Sequence, residues 1–435
     1  MLSEIMNGAY RACLFPDPRT GNGFAVDAII SNPPVFGHIH IAECLGIPLQ
    51  MSFTMPWTPT IEFSHPLVDL RSNTEPSLSN YLSYGLADHL TWRGLAGVIN
   101  KFRKKTLGLI PLSGRSGPSV VDRLKIPWTY CWSQGLIPKP HDWKNTIDIS
   151  GFYFLDLATD YRPPPDLEAF LAAGPPPIYI GFGSVPVKDP AAMTTILLEA
   201  VRETGVRALI SAGWGGLGGS DVPENVFILG STPHDWLFTK VSAVCHHGGA
   251  GTTAIGLLNG RPTIVIFWGN MVARAGAGPP PIPANELSKE RLSSAIKEAL
   301  SPTCFESASR LGEQIRAEDG LQAGVESFYR HLPLERMRCN IDPSRLAIWW
   351  SDDLALRVSA FAAQTLIENN RIKLDSLVLS RPKEYDTRKE ATDPITGGAA
   401  AALAICTDLT SGLAQLFYKP QKGLINVSTA IPQGE

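Results

Sequence analysis

The chain has 435 residues, 44% of them hydrophobic and 18% charged, and a net charge of -3. That length exceeds one compact core, so two or more domains are expected, and with no basic block beyond the short, isolated "KFRKK" (101–105) a nucleic-acid partner is not expected. Seven cysteines without Cys-x-x-Cys spacing exclude a disulfide scaffold and point to reduced thiols in a cytoplasmic protein.

The opening "MLSEIMNGAYRACLF" lacks the charged-then-apolar layout of a secretory signal. "DAIIS" (27–31) reads as a strand ending in an "NPP" turn. "HIHIAECLG" (38–46) has helical spacing and a glycine stop; its His38 and His40, two apart, cannot share a helix face and read as structural. "IPLQMSF" follows as a second strand. From about 56 to 150 the chain is rich in Pro, Trp, Ser and Tyr and weakly periodic, which predicts loops and short helices over a sheet; "KFRKK" (101–105) reads as a solvated helix end. Two proline triplets around a short helix in "YRPPPDLEAFLAAGPPP" mark 161–177 as a linker.

Beyond the linker a βα rhythm sets in. "IYIGFGS" (178–184) is a strand entering a glycine turn. Asp189 and Pro190 form an N-cap and first helical position, Met193, Ile196, Leu197, Ala200 and Val201 give one apolar face, and Gly205 is the stop. "RALISA", "VFILG", "VSAVC" and "PTIVIF" are further strands. "TPHDWLF" starts a short helix with Pro233 near its first position, and "SKERLSSAIKEAL" is a helix with Leu292, Ile296 and Leu300 in line. The alternation predicts a doubly wound parallel α/β domain. Later, "DLALRVSAFAAQTLIENN" reads as one helix. "DPITGGAAAALAICTDLTSGLAQLF" reads as a small-residue helix carrying Asp408, packed on the protein or docked at a membrane interface. No run of 18 apolar residues is long enough for a spanning helix.

One stretch carries chemistry. "CHHGGAGTT" (245–253) runs from a strand through a glycine turn into a helix start. Small residues there let backbone N–H groups approach anionic oxygens, and the helix N-terminus adds about half a positive charge. Thr252, Thr253 and a histidine at the strand end add donors, and ligands of open α/β sheets sit at that edge. A tight turn with merely buried histidines is the plainer alternative. Gly183 and Ser184 of "IGFGS" form a second such turn, able to present Ser184 to the same phosphate. Gly213, Gly215 and Gly218 fit a dinucleotide fingerprint, but "GSDVPENV" follows where a helix and an acidic residue are needed, so the stretch reads as a loop. A nucleophile elbow, a metal-spaced His/Cys set and a P-loop lysine are all missing.

Taken together, "GFGS", "SAGWGGLG", "STPHDWLF", "HHGGAGTT" and "ARAGAGPPPIP" resemble the fungal sterol 3β-glucosyltransferase-like UDP-glycosyltransferases. The likeness extends through "FTMPWTPT", "LKIPWTYCWS" and "GFYFLDLATDYRPPPDL" to "RPKEYD" and "DPITGG". It implies an α/β GT-B fold of two Rossmann-like domains: an incomplete acceptor-binding one over 1–160 and a UDP-sugar-binding one over 178–330, with a C-terminal helical extension over 331–435. It implies inverting transfer of glucose from UDP-glucose to the 3β-hydroxyl of a sterol or similar lipid. No cofactor beyond the donor and no metal are implied, and peripheral membrane contact is compatible with the lipid acceptor. Carried over, His246, His247, Gly248, Gly249, Ala250, Gly251, Thr252 and Thr253 cradle the diphosphate with Gly183 and Ser184, while His234, Asp235 and Trp236 line the uridine side. The sequence departs from the family in two places. The opening Gly-Thr-Arg-Gly-Asp turn, the region from which relatives supply the base, has no counterpart after Met1. The Asp-Gln pair that binds sugar hydroxyls is also missing: no Asp or Glu occurs between Gly260 and Asn285, leaving Asn270 as the nearest stand-in. The expected function is thus a UDP-sugar-dependent glycosyltransferase, with a catalytically inactive UDP-binding or interaction protein of the same fold as the alternative.

Overall fold

The structure, a computed structural model, describes residues 1–68, 76–155, 160–183, 189–211, 222–266 and 270–388. The chain forms two compact units. One comprises Met1–Thr129, Pro140–Ile147 and the described chain from Phe328; the other comprises Tyr130–Lys139 and Asp148–Ser327.

In the first unit β1 (Ile29–Ser31) pairs in parallel with β2 (Leu49–Phe53), Ile29 opposite Leu49, joined by the helix His38–Leu45. With β3 (Trp128–Tyr130) and β4 (Ile147–Ile149) they form a sheet of order β1-β2-β3-β4. Met6, Ile41, Ile99, Phe102 and Leu107 make a core cluster. The expected loops and short helices after residue 56 include, instead, one helix of 30 residues, Pro76–Lys105. Its buried stripe carries Ser79, Ser83, Tyr84 and Ala87, so the period is helical while the hydrophobic contrast is weak. "KFRKK" does end that helix, but it is not simply solvated: Arg103 is 0% exposed. Its guanidinium donates to Glu43 at 2.6 Å, to the Ile110 carbonyl at 2.8 Å and to Thr387 at 3.4 Å, and lies 2.9 Å from His40 Nδ1. Thr387 in turn donates to Glu43 at 2.9 Å.

The second unit holds five parallel strands: β5 (Ile178–Gly181), β6 (Ala208–Ser211), β7 (Val226–Leu229), β8 (Ala243–His246) and β9 (Thr263–Val265), in the order β7-β6-β5-β8-β9. The helix Pro190–Thr204 is capped by Asp189, which accepts from the Ala192 amide at 3.0 Å, and stops at Gly205 in the left-handed region. Leu197, Ala200 and Val201 are buried in the core of one sheet face, with Met193 and Ile196 packed at its margin. Ser288 caps Lys289–Ala299, which buries Leu292 and Ile296; Leu300 lies one residue past the helix and is 37% exposed, so it leaves the expected apolar line. The helix expected inside the linker, Pro165–Ala172, sends Leu167, Phe170 and Leu171 against Tyr179, Leu209 and Leu229 on the other face.

The described part of the expected helical extension contains a second, antiparallel sheet of order β11-β10-β12, with β10 Trp349–Ser351, β11 Leu356–Val358 and β12 Leu377–Leu379. "DLALRVSAFAAQTLIENN" is therefore not one helix. Leu356–Val358 pairs with β10, and Ser359 then caps Ala360–Glu368 by accepting from the Ala362 amide. β-Branched Val358 and the capping serine mark the break. Within "RPKEYD", Arg381 donates to the carbonyls of Glu43 and Cys44, the Lys383 amide to that of Gly46 and Tyr385 to that of Ile47. This strap satisfies carbonyls that the end of His38–Leu45 leaves open, with a cation at the negative end of the helix. The stretch 393–417, expected as a small-residue helix, lies outside the described residues. No described helix is long and apolar enough to cross a membrane.

Candidate functional site

The strand order itself selects a place. From β5 the chain winds outward through β6 and β7, then returns to lay β8 on the opposite side of β5, with Gly181 opposite His246. Connections leave these two neighbouring strands in opposite directions, which opens a crevice at their carboxyl ends. The turn after β8 is "HGGA" and the turn after β5 contains Gly183, so both glycine turns singled out in the sequence sit at that edge. Ser184, Gly213, Gly215 and Gly218 lie outside the described residues.

His246 ends β8 and is 0% exposed. Its Nδ1 accepts from the Gly248 amide at 3.0 Å, which puts the proton of the neutral ring on Nε2; that buried Nε2 has no hydrogen-bond partner among the described residues. Gly248 adopts φ +93 to bring its amide back under the ring, a conformation that disfavours any side chain. Burial, aided by His247 and His234, lowers the His246 pKa to about 3. His247 is half-buried, stands edge-on to His246 with ring centres 6.0 Å apart, and leaves a buried Nδ1 without a partner among the described residues. Burial lowers its pKa as well. Two glycines make room for the His247 ring. A Cβ on Gly249 would lie 2.6 Å from Nε2, and one on Gly183 would lie 3.2 Å from Cε1. The second turn thus closes on the first through His247.

Gly249 is the N-cap of the helix Ala250–Leu258 and offers no side-chain cap. The first intrahelical bond runs from the Thr253 amide to the Gly249 carbonyl at 3.0 Å, so the amides of Ala250, Gly251 and Thr252 precede the ladder. The Thr253 hydroxyl also donates to the Gly249 carbonyl, at 2.9 Å, and the residue is 8% exposed. The threonine expected as a phosphate donor is spent inside its own helix; Thr252 is half-buried. With both histidines neutral, attraction for an anion comes from oriented N–H groups and the helix end rather than from a fixed cation.

His234 opens the helix His234–Leu237, with Pro233 as N-cap rather than first helical residue. Its ring stacks on Phe238 at 4.7 Å and 12°, and its Nε2 lies 3.2 Å from the Tyr179 hydroxyl. Burial lowers its pKa while Asp235 opposes the shift. His234 is also among the groups that lower the His246 pKa. Asp235 accepts from the Trp236 amide at 3.1 Å, and Trp236 meets Tyr161 edge-on at 5.2 Å. Tyr179 and Phe238 were not singled out in the sequence; the one available signal is Tyr179 itself, a polar-tipped ring in an otherwise aliphatic strand. Asn270 begins the short helix Asn270–Arg274 and is exposed, and the three residues before it lie outside the described ones.

No protein-family model matches the sequence. The chain is 46% identical to a sterol 3-beta-glucosyltransferase of Arabidopsis thaliana over 340 residues, 76% of this chain and 53% of that protein. It is 34% identical to a sterol 3-beta-glucosyltransferase of Aspergillus terreus over 354 residues, 76% of this chain and 24% of that protein. The likeness expected for fungal members therefore extends to plants, at higher identity. The chain spans about half the length of the plant relative and a quarter of the fungal one. Among solved structures, that of the glycotransferase of kitacinnamycin matches with a TM-score of 0.52 and 15% identity, over 76% of this chain and 80% of that one. The shared architecture is the α/β GT-B glycosyltransferase fold.

Proposed function

Because the chain is homologous to the sterol 3β-glucosyltransferases over 76% of its length, we propose that it is a UDP-sugar-dependent hexosyltransferase that moves glucose from UDP-glucose to a sterol or similar lipid alcohol. The observation that carries this reading is the paired opening at the ends of β5 and β8. Two neutral histidines there hold buried ring nitrogens without partners among the described residues, beside the unladdered amides of Ala250, Gly251 and Thr252. The N–H groups of such a set can donate to the oxygens of a diphosphate. On this reading His234, Asp235 and Trp236 line the nucleoside side, and Ser184, which lies outside the described residues, is assigned to the phosphates by the family resemblance alone.

In the reaction the acceptor hydroxyl attacks the anomeric carbon from the face opposite the diphosphate. A new C–O bond forms, the anomeric C–O bond to phosphate breaks with inversion, and the hydroxyl proton passes to a base. The His246 Nε2–H and the helix amides offset the charge that grows on the departing diphosphate oxygen. Asn270, exposed at the start of its short helix, is assigned to the sugar side.

A second reading is favoured by one specific feature: no carboxylate occurs between Gly260 and Asn285 to hold the sugar hydroxyls. On that reading the chain binds UDP and transfers nothing. Calorimetric titration with UDP, followed by incubation with radiolabelled UDP-glucose and a sterol, separates the two. The transferase reading expects UDP binding that weakens about tenfold or more in His247→Ala, together with labelled steryl glucoside. Binding without product supports the second reading, and no UDP binding overturns both.

A further inference from the structure

Tyr179 is the one polar-tipped side chain of β5 and is 3% exposed, so its hydroxyl must find partners inside the protein. Two are within reach. The phenol oxygen lies 3.2 Å from His234 Nε2. Ser211, the last residue of the adjacent β6, makes the other hydrogen bond, which opposes the rise in the Tyr179 pKa that burial causes. A bond that favours the phenolate is one donated to its oxygen, so Ser211 is the donor there. The phenol's own proton is then left with His234 Nε2 as its acceptor. The strand is built to allow this. Gly181 lies two residues on, on the same face. A Cβ there would fall 2.7 Å from Tyr179 Cζ and closer still to the hydroxyl, so the phenol can lie along the strand only over a glycine. The His234 ring is held in plane from two sides. It stacks on the buried Phe238 and meets Tyr179 edge-on at 5.3 Å and 69°, and Tyr179 and Phe238 pack on each other at 5.0 Å. Its Nδ1 makes no hydrogen bond among the described residues and is not a buried atom, so that nitrogen opens outward.

We propose that Tyr179 is a positioning residue for nucleotide binding: by donating to Nε2 it holds His234 as the Nδ1–H tautomer, so the imidazole offers the nucleotide an N–H donor and not a lone pair. A neutral imidazole has one proton to place, and burial keeps this ring neutral. A free histidine side chain favours the proton on Nε2; the tyrosine reverses that choice. His246 is set as a donor by the opposite route, since the Gly248 amide occupies its Nδ1 and leaves the proton on Nε2. A nucleoside diphosphate presents oxygens of phosphate, ribose and base carbonyl, all of them acceptors, so two rings fixed as donors match it. Only the nucleotide as ligand rests on the transferase reading; the tautomer does not.

Long-range ¹H–¹⁵N NMR of the full chain, without nucleotide and at a pH where the ring is neutral, reads which nitrogen of His234 bears the proton. The wild-type chain is expected to carry it on Nδ1. Tyr179→Phe keeps the ring and removes only the hydroxyl; it is expected to move the proton to Nε2 and to weaken UDP binding about three- to tenfold by calorimetry. In a His234→Ala background the same substitution is expected to change UDP affinity less than about twofold. A wild-type ring protonated on Nε2 would overturn the proposal. So would an unchanged tautomer in Tyr179→Phe, or a loss of affinity that persists undiminished without His234. A wild-type chain that shows the Nδ1–H form and binds no UDP would overturn the transferase reading while upholding the tautomer. The wild-type spectrum decides alone if Tyr179→Phe does not fold.

Discussion

Replacing Gly249 with alanine tests the geometry of the phosphate turn without removing any polar group. The backbone at Gly249, φ -61 and ψ 134, is open to alanine, so the turn itself is retained. The new methyl carbon would lie 2.6 Å from His247 Nε2 and 3.0 Å from Cε1. Carbon atoms rest at about 3.5–4.0 Å from their neighbours, so the ring must move by roughly 1 Å. Gly183 borders the ring as well, which limits where it can go. An off-rotamer imidazole costs about 0.5–1.5 kcal/mol, and a lost hydrogen bond to a charged phosphate about 1.5–3 kcal/mol. The strain is present with and without ligand and lowers stability, by about 1–2 kcal/mol together with the weaker N-cap, so the expected loss in UDP affinity is that of the hydrogen bond, about 10- to 150-fold by calorimetry. A double-mutant cycle supplies the check. If Gly249 acts through His247, then Gly249→Ala in a His247→Ala background changes affinity less than about twofold. An equal loss in both backgrounds would refute the reasoning and assign the glycine to direct backbone approach instead.

Arg103→Leu removes a buried cation, leaving the Ile110 carbonyl without its donor and Glu43 with Thr387 alone, so urea denaturation should show a loss of about 3–5 kcal/mol; a loss under about 1 kcal/mol would mean the network contributes little. Acid should destabilise the protein well above the carboxylate range. His246 at about 3 and His38 and His65 at about 4 sit below the unfolded value of 6.5, so the unfolded chain binds more protons, and this stability is full above pH 6.5 and is lost as pH falls toward 4. Asp88, raised to about 6, acts in the opposite sense between 3.8 and 6 and offsets part of the loss. Urea midpoints measured from pH 7.5 to 4.5 should fall, with proton uptake on unfolding; a flat or rising profile would contradict the burial argument.

Local signals reached the structure where one short segment contained the whole cause. Asp189 with Pro190 and Gly205 delimits its helix because cap, ring and left-handed stop act within one turn. The five strands of the second unit could be read because each is a short apolar run beside a turn. Two kinds of feature could not. The helix Pro76–Lys105 hides its buried stripe behind serines, whose burial depends on neighbours such as His65, whose amide donates to Ser83. Leu356–Val358 becomes a strand because β10 is there to pair with it, although the residues around it have helical spacing.

By itself the sequence determined the βα order of the second unit, the glycine turns and the presence of two histidines at one of them, because apolar period, turn chemistry and residue type are written locally. Only the tertiary structure decided what those groups do. It laid β8 beside β5, so that Gly183 and Gly249, 66 positions apart, make room for one imidazole. It buried His246 until its ring is neutral, spent the Thr253 hydroxyl on its own helix, and drew Arg103 out of a run of basic residues into the core. Burial and long-range contact set these outcomes, and both belong to atoms distant in the chain: a histidine's charge and a threonine's free hydroxyl depend on what surrounds them, which no window of neighbouring residues contains.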